Sequence, residues 1–230
     1  MLLVIQMQLL TTSNKINRTN DIQNKYLTSI QYLSPYRLSG RNVCPNASEG
    51  CIHGCLNTSG RGNMNSVQQA RIRRTKLLFE DKQAYKEKLY DEISKFIRKS
   101  YRQKKKPAIR LNGTSDLDWT VLFPDIFSFD CQFYDYTKSK VRYLKFLDGH
   151  LENYHLTFSR GKPEDDEFCL DVLRNGGNVA VVFHNPPEKW KRFRCIDGDK
   201  HDLRFLDQKG KVVALKAKGR AKRDKTGFVI

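Results

Sequence analysis

Apolar residues follow two different patterns along the chain, one typical of helices and one typical of strands. Between residues 66 and 106, apolar residues recur every three or four positions, which is typical of amphipathic helices, and Asp81 interrupts the pattern. Elsewhere, short apolar runs indicate strands, and helical patterns follow at 139–147 and 164–174. The predicted strands cover residues 30–38, 108–111, 131–136, 153–158, 178–183 and 211–216.

Alternation of strands and helices favours parallel strands joined by right-handed crossovers. The sequence therefore predicts an open or partial parallel α/β barrel with a basic helical insertion at 66–106 and a C-terminal β-rich segment. Residues 1–29 are expected to form a poorly ordered arm, and residues 30–230 a single domain. The apolar stretch 1–10 is too short for a membrane span and lacks the features of a signal peptide, so we expect a cytoplasmic protein without a membrane partner.

Three of the six cysteines lie within twelve residues, separated by six and then three positions, in a segment rich in glycine. Thiolates are the ligands of iron–sulfur clusters and of zinc, and close spacing reduces the chain entropy lost on binding. The spacing predicts a [4Fe–4S] cluster on Cys44, Cys51 and Cys55, with Cys195 favoured as the fourth ligand. Zinc on the same residues, in a structural module, is the first alternative.

A disulfide framework is the second alternative, because six is an even number of cysteines. Cys131 and Cys169 stand alone inside a predicted strand and a predicted helix, and we expect them to pack as small apolar residues. His53 lies between two of the clustered cysteines and is a candidate metal ligand or a neighbour of the ligands.

Basic residues exceed acidic ones by 42 to 25, a net charge of +17. Such an excess favours a polyanionic partner, so we expect nonspecific binding of nucleic acid, DNA or RNA. Solvation of helix faces is the simpler explanation of the charge. The candidate phosphate-binding residues are Arg71, Arg73, Arg74, Lys76, Lys104, Lys105, Lys106, Lys216, Lys218 and Arg220. Tyr134 and Tyr136 are candidates for stacking on bases.

Polar residues follow the predicted strands, where functional groups of α/β barrels collect. Among them Asn112, Asp116, Asp199 and His201 are candidate catalytic residues of an enzyme acting at the rim. The run from Cys195 to Asp207 alternates carboxylates with an imidazole, which suits a hard metal or acid–base chemistry. Helix capping and turn formation explain the same residue types, and both explanations stay open.

Several blocks of the chain resemble the "gene product 88" family of bacteriophage and plasmid proteins. These blocks are LSPYRLSGRNVCP at 33–45, TSGRG at 58–62, RLNGTSDLDW at 110–119, QFYDYT at 132–137, NYHLTFS at 153–159, IDGDKHDLRF at 196–205 and LKAKGR at 215–220. The resemblance covers residues 30–230. It implies a phage or plasmid context, hence the host cytoplasm, and no particular activity.

Cysteines placed after a first strand of a partial barrel are also similar to radical S-adenosylmethionine enzymes. Those enzymes use a Cys-x3-Cys-x2-Cys loop and a glycine-rich segment that holds the cofactor, and this chain has neither. A cluster with four protein ligands also leaves no iron open to a cofactor. A cluster-dependent enzyme of this kind therefore stands as an alternative to the nucleic-acid-binding iron–sulfur protein.

Overall fold

The computed structural model describes residues 7–12, 25–149 and 151–230. Its strands are β1 (Leu10–Thr11), β2 (Tyr26–Gln31), β3 (Lys106–Arg110), β4 (Gln132–Thr137), β5 (Tyr154–Ser159), β6 (Val179–Phe183), β7 (Lys189–Trp190), β8 (Phe193–Asp197) and β9 (Val212–Lys216). They form a mostly parallel sheet of nine strands in the order β1-β2-β3-β4-β5-β6-β9-β8-β7. The predicted parallel α/β sheet is confirmed. Closure into a barrel is not, because the sheet has two edges among the described residues.

The helices are α1 (Tyr36–Ser39), α2 (Glu49–His53), α3 (Asn65–Glu80), α4 (Lys82–Arg102), α5 (Trp119–Leu122), α6 (Lys140–Asp148) and α7 (Asp166–Arg174). The break predicted at Asp81 is confirmed. Its carboxylate accepts a hydrogen bond from the backbone N–H of Ala84 at 2.9 Å, which satisfies a free donor in the first turn of α4. Ser139 caps α6 in the same way through the N–H of Arg142.

The chain divides into two compact units. The first contains residues 1–45, 63–135 and 151–154, and the second contains residues 46–62, 136–150 and 155–230. Each unit is described by itself below.

In the first unit, β2 pairs in parallel with β3, and β3 with β4, while β1 runs antiparallel to β2. One face of α4 is buried because its apolar residues recur at helical spacing. These are Tyr85, Leu89, Ile93 and Phe96. α4 contacts β1, β2 and β3, so it covers this part of the sheet.

In the second unit, β9 lies between β6 and β8 and is parallel to both, and β7 is an antiparallel addition to β8. Tyr143 of α6 and Phe168, from α7, both pack edge-on against Phe158 of β5, with ring centroids 5.7 and 4.7 Å away. The two helices therefore share an aromatic core with the sheet.

The first strand differs from the prediction. It covers Tyr26–Gln31 rather than residues 30–38, and Tyr36–Ser39 is a helical turn that follows Pro35. Residues 7–12 and 25–29 of the expected arm are described, and Leu9 and Leu10 are buried. The remainder of that arm, residues 1–6 and 13–24, lies outside the described residues.

Candidate functional site

Residues 46–62, the cysteine segment, belong to the second unit together with residues 217–229, which we call the C-terminal strap. Ser48 caps α2 by accepting a hydrogen bond from the N–H of Cys51, and its hydroxyl donates to the carbonyl of Gly161. A Cβ atom at Gly50 would overlap the side chains of Thr226 and Phe228. Only glycine therefore lets α2 lie this close to the strap.

The thiols of these cysteines have different surroundings. Cys51 is partly buried and packs against an apolar cluster of the strap formed by Ala217, Ala221, Phe228 and Val229. Cys44 belongs to the first unit, where its thiol lies 3.7 Å from the carbonyl oxygen of Thr114. Cys195 lies within β8, and burial raises the pKa of its thiol.

Cys131 and Cys169 are buried, as predicted, and burial raises the pKa of both thiols. All six cysteines lie in the described ranges, and none of them forms a disulfide bond there.

Residues 7–12, 25–149 and 151–230 contain no group of three or more His, Cys, Asp or Glu side chains placed to hold a metal ion. His53, the other candidate ligand in the cysteine segment, is exposed.

At the carboxyl end of β3, Asn112 is buried and its side chain is fully used. Its backbone N–H donates to Asp135 at 2.7 Å, and its amide group donates to Asp135 and to the carbonyl of Leu117. The amide oxygen accepts from Ser115, from the N–H of Leu117 and from the indole of Trp119. Asn112 therefore holds the loop that follows β3.

The backbone N–H of Asp116, a catalytic candidate in the same loop, donates to the carbonyl of Val43 at 2.8 Å. Thr114 donates to the carbonyl of Leu33 at 2.6 Å. These contacts tie the loop after β3 to residues 33–43 of the same unit. They match the structural explanation of these polar residues that the sequence left open.

In the second unit, the run from Cys195 to Asp207 separates into two parts. Asp199 accepts hydrogen bonds from the N–H of Lys216 at 3.0 Å and from the ammonium group of Lys218. It therefore fixes the end of β9. His201 belongs to a different group of side chains, which is centred on Arg204.

Arg204 is fully buried, and its guanidinium group lies 3.3 Å from the carboxylate of Asp207. It also donates to the carbonyl and approaches the ring of His201. Burial raises the pKa of Asp207 to about 6, although the charge of Arg204 opposes the rise. Burial lowers the pKa of His155 to about 4, and Arg204 adds to this effect.

Replacing His155 with glutamine should make stability less sensitive to acid. The pKa of His155 is lower in the folded protein than its ordinary value of 6.5, so protons bind more readily to the unfolded chain. The contribution of neutral His155 to the stability of the fold is fully present above pH 6.5 and is lost as the pH falls towards 4. Across this pH range, the free energy of unfolding of the unmodified protein should fall by about 2–3 kcal/mol more than that of His155→Gln.

Urea denaturation of both proteins between pH 4 and pH 7 measures the difference. Arg204, His201, Asp202 and Asp207 are present in both proteins, so their own titrations largely cancel. A difference that is constant with pH would contradict the prediction.

The predicted basic residues of α3 do not share one environment. Arg71 is buried, with its guanidinium group 4.7 Å from the ring centroid of Tyr32. Arg74 donates to the backbone carbonyl of Gln8 at 2.6 Å, and burial lowers its pKa. Arg73 and Lys76 are exposed. Half of this set therefore stabilises the fold rather than facing solvent.

The remaining basic candidates are mostly at the surface. Lys104 and Lys106 are exposed at the turn between α4 and β3, and Lys105 is partly exposed. Lys216, Lys218 and Arg220 are exposed around the strap, although Lys218 is paired with Asp199.

We compared the sequence with models of known protein families. The sequence profile described as "Gene product 88" matches residues 7–230, which is nearly the whole chain. The chain belongs to the gene product 88 family. The match includes residues 7–29, which the resemblance seen in the sequence had left out.

No curated protein and no solved structure matches this gene product 88 protein. The similarity to radical S-adenosylmethionine enzymes is therefore not shown. Within the part of the chain that the structure describes, no helix is both long enough and apolar enough to span a bilayer.

Sequence reasoning missed two features of this gene product 88 protein. His155 was not recognised as a histidine whose pKa is lowered by burial and by Arg204, because the two residues are far apart in the sequence. Tyr36 and Phe79 were not recognised as exposed aromatic residues, although both are largely open to solvent. Arg37, which follows Tyr36 in the sequence, was an available signal for the exposure of that residue.

Proposed function

We propose that this protein binds nucleic acid without sequence specificity through exposed lysine and arginine side chains. The observation that carries the proposal is the C-terminal strap, whose backbone is anchored while its basic side chains face solvent. Lys and Arg contact phosphates through charge and reach alone, so neither a base-reading element nor a fixed register is required.

The anchoring of the strap is extensive. Arg160 is buried and donates to the carbonyl of Gly227 at 2.6 Å, while it is also paired with Asp166. Ala221 and Phe228 are buried in the apolar cluster. The basic side chains are therefore presented by a backbone that is already ordered, which lowers the entropy lost on binding.

The charge of this surface is one-sided. Residues 216–225 contain six basic residues and one acidic residue, Asp224. The carboxylate of Asp224 accepts hydrogen bonds from Thr226 and from the N–H of Val229, so it is engaged by the strap itself. The exposed basic residues here are Lys216, Lys218, Arg220, Lys222, Arg223 and Lys225.

A second basic surface lies in the first unit, at the carboxyl end of α4. Residues 94–106 contain no acidic residue. Arg98, Lys99 and Arg102 are exposed, as are Lys104 in the turn that follows and Lys106 at the start of β3. The carboxyl end of a helix carries partial negative charge, which favours these cations in the last turn.

Removing three charges from the strap should weaken binding and reduce its dependence on salt. The variant is Lys222→Ala/Arg223→Ala/Lys225→Ala, and the matched control is Lys145→Ala/Lys189→Ala/Lys209→Ala, exposed residues outside both surfaces. Three lost phosphate contacts should lower the slope of log Kd against log salt by about 2–3. Fluorescence anisotropy with labelled oligonucleotides between 50 and 200 mM salt, over which the Debye length shortens about twofold, measures it.

The control variant has the same net charge as the strap variant, so it separates a local contact from a general charge effect. Equal losses in the two variants would contradict the assignment of the strap. Binding that does not change with salt, or no binding by the unmodified protein, would contradict the proposed function.

We also propose that the three closely spaced cysteines take up a [4Fe–4S] cluster, with zinc as the alternative. Cys44, Cys51 and Cys55 are partly exposed, whereas Cys131 and Cys169 are buried, so the three closely spaced thiols are the ones open to a metal source. A raised pKa makes Cys195 a less favourable fourth ligand, because ligands bind as thiolates.

Protein purified without oxygen should contain iron and acid-labile sulfide, and Cys51→Ser should lose both while Cys131→Ser keeps them. Metal and sulfide analysis with an absorption spectrum measures the content. One zinc per chain without sulfide would support the zinc-stabilised module instead, and protein free of both metals would contradict both versions.

A further inference from the structure

Helix α3 lies along residues 32–41 of the first unit, and three successive turns of the helix contact this segment. Arg71 covers the ring of Tyr32 at 4.7 Å, Thr75 accepts a hydrogen bond from the N–H of Ser34 at 2.8 Å, and the guanidinium group of Arg41 lies 5.7 Å from the ring centroid of Phe79. The contacts become more exposed along the helix, since Thr75 is buried and Phe79 is not.

The exposed end of this contact combines aromatic rings with basic groups. Tyr36 is 64% exposed and Phe79 is 43% exposed, so both rings offer surface to solvent. Arg37, Arg41, Arg73 and Lys76 are exposed on the same two elements of chain. Glu80 is the one acidic residue in residues 32–41 and 65–80.

We infer that this aromatic face, formed by Tyr36, Arg37, Arg41, Lys76 and Phe79, receives single-stranded nucleic acid. The inference rests on the proposed function and names its substrate class. Bases stack on exposed aromatic rings, and arginine and lysine next to the rings contact the phosphates. A duplex keeps its bases paired and stacked, so it offers no free base faces to Tyr36 and Phe79.

The charge of the face distinguishes this occupant from an apolar protein partner. A ring that is already covered on one side by a guanidinium group, as Phe79 is by Arg41, suits a flat and electron-rich base more than an aliphatic side chain. Tyr134 and Tyr136, the aromatic residues expected from the sequence to stack on bases, do not compete with this face. Tyr134 is buried, and the hydroxyl of Tyr136 donates to Asp202.

The test compares a single-stranded 20-mer of thymidine with a 20-base-pair duplex by fluorescence anisotropy. The variant is Tyr36→Ala/Phe79→Ala, and the control is Val121→Ala/Leu144→Ala, which removes two other exposed apolar side chains. The variant should weaken single-strand binding by about tenfold or more. Duplex binding should change by less than about threefold, and the control should change neither.

A second variant, Phe79→Trp, keeps the ring and guards against a folding defect. This variant should retain single-strand binding, and the fluorescence of its new indole should be quenched when the thymidine 20-mer is added. Both native tryptophans are buried, so the change in fluorescence can be assigned to the new indole. Equal losses for single strand and duplex in the alanine variant, or no loss at all, would overturn the inference.

The two proposals fail in different ways. In one outcome the protein binds the duplex through the strap while Tyr36→Ala/Phe79→Ala binds the single strand as tightly as the unmodified protein does. That result would leave the proposed function standing and overturn the aromatic face. A protein that binds neither probe at 50 mM salt, where phosphate contacts are screened less than at 200 mM, would overturn both.

Discussion

Alanine at Asn112 is expected to lower the free energy of unfolding by about 3–5 kcal/mol, because several buried groups lose their partners together. The carboxylate of Asp135, the indole N–H of Trp119 and the N–H of Leu117 all contact the side chain that is removed. Each buried donor or acceptor left unsatisfied costs about 1–3 kcal/mol. Urea denaturation measures the loss, and hydrogen exchange in residues 108–119 locates it.

Gln83→Ala is the matched control, because Gln83 is also an amide of the first unit but its side-chain hydrogen bond to Glu87 is exposed. Its loss should be below about 0.5 kcal/mol. A similar effect of both substitutions would show that the network around Asn112 does not organise the loop.

Alanine at Arg204 is expected to cost about 3–5 kcal/mol, because it leaves the carboxylate of Asp207 buried without its counter-ion. The guanidinium group is completely buried, and the side chain of Asp207 is 2% exposed. Denaturation of the double variant Arg204→Ala/Asp207→Leu tests the cause. It should recover more than about 1 kcal/mol of the loss, since it removes the stranded charge.

Arg174→Ala is the control for Arg204→Ala. Arg174 is paired with two carboxylates, those of Glu167 and Asp171, but all three side chains are exposed. Surface pairs contribute about 0–1 kcal/mol, so this substitution should have little effect. If the double variant is no more stable than Arg204→Ala, the cost comes from lost packing and not from the buried charge.

The sequence predicted the helices better than the first strand, and the reason lies in burial. In α4, apolar residues alone form the buried face, apart from Ser100, so the helical period is easy to read. In β2, the buried residues include Thr28, Ser29 and Gln31, so the strand resembles a polar linker. The predicted strand 30–38 overlaps only the end of β2, and its last residues belong to the turn α1.

The candidate site was only partly predictable. Close cysteine spacing and the basic strap are local features, so the sequence reveals both. The position of Arg71 is not local, because its burial depends on the ring of Tyr32, which is supplied by a distant segment. Arg204 is similar, since a fully buried arginine in a polar run looks like a surface residue until its partners His201 and Asp207 are known.

The packing of α2 on the strap has a consequence for synthesis on the ribosome. The cysteine segment ends at Gly62, and the strap residues that cover Cys51 begin at Ala217. At about 5–20 residues per second, the nascent chain waits roughly ten to thirty seconds between them. During that interval the thiol of Cys51 has no native cover, which is when oxidants, metal donors and chaperones have the freest access to it.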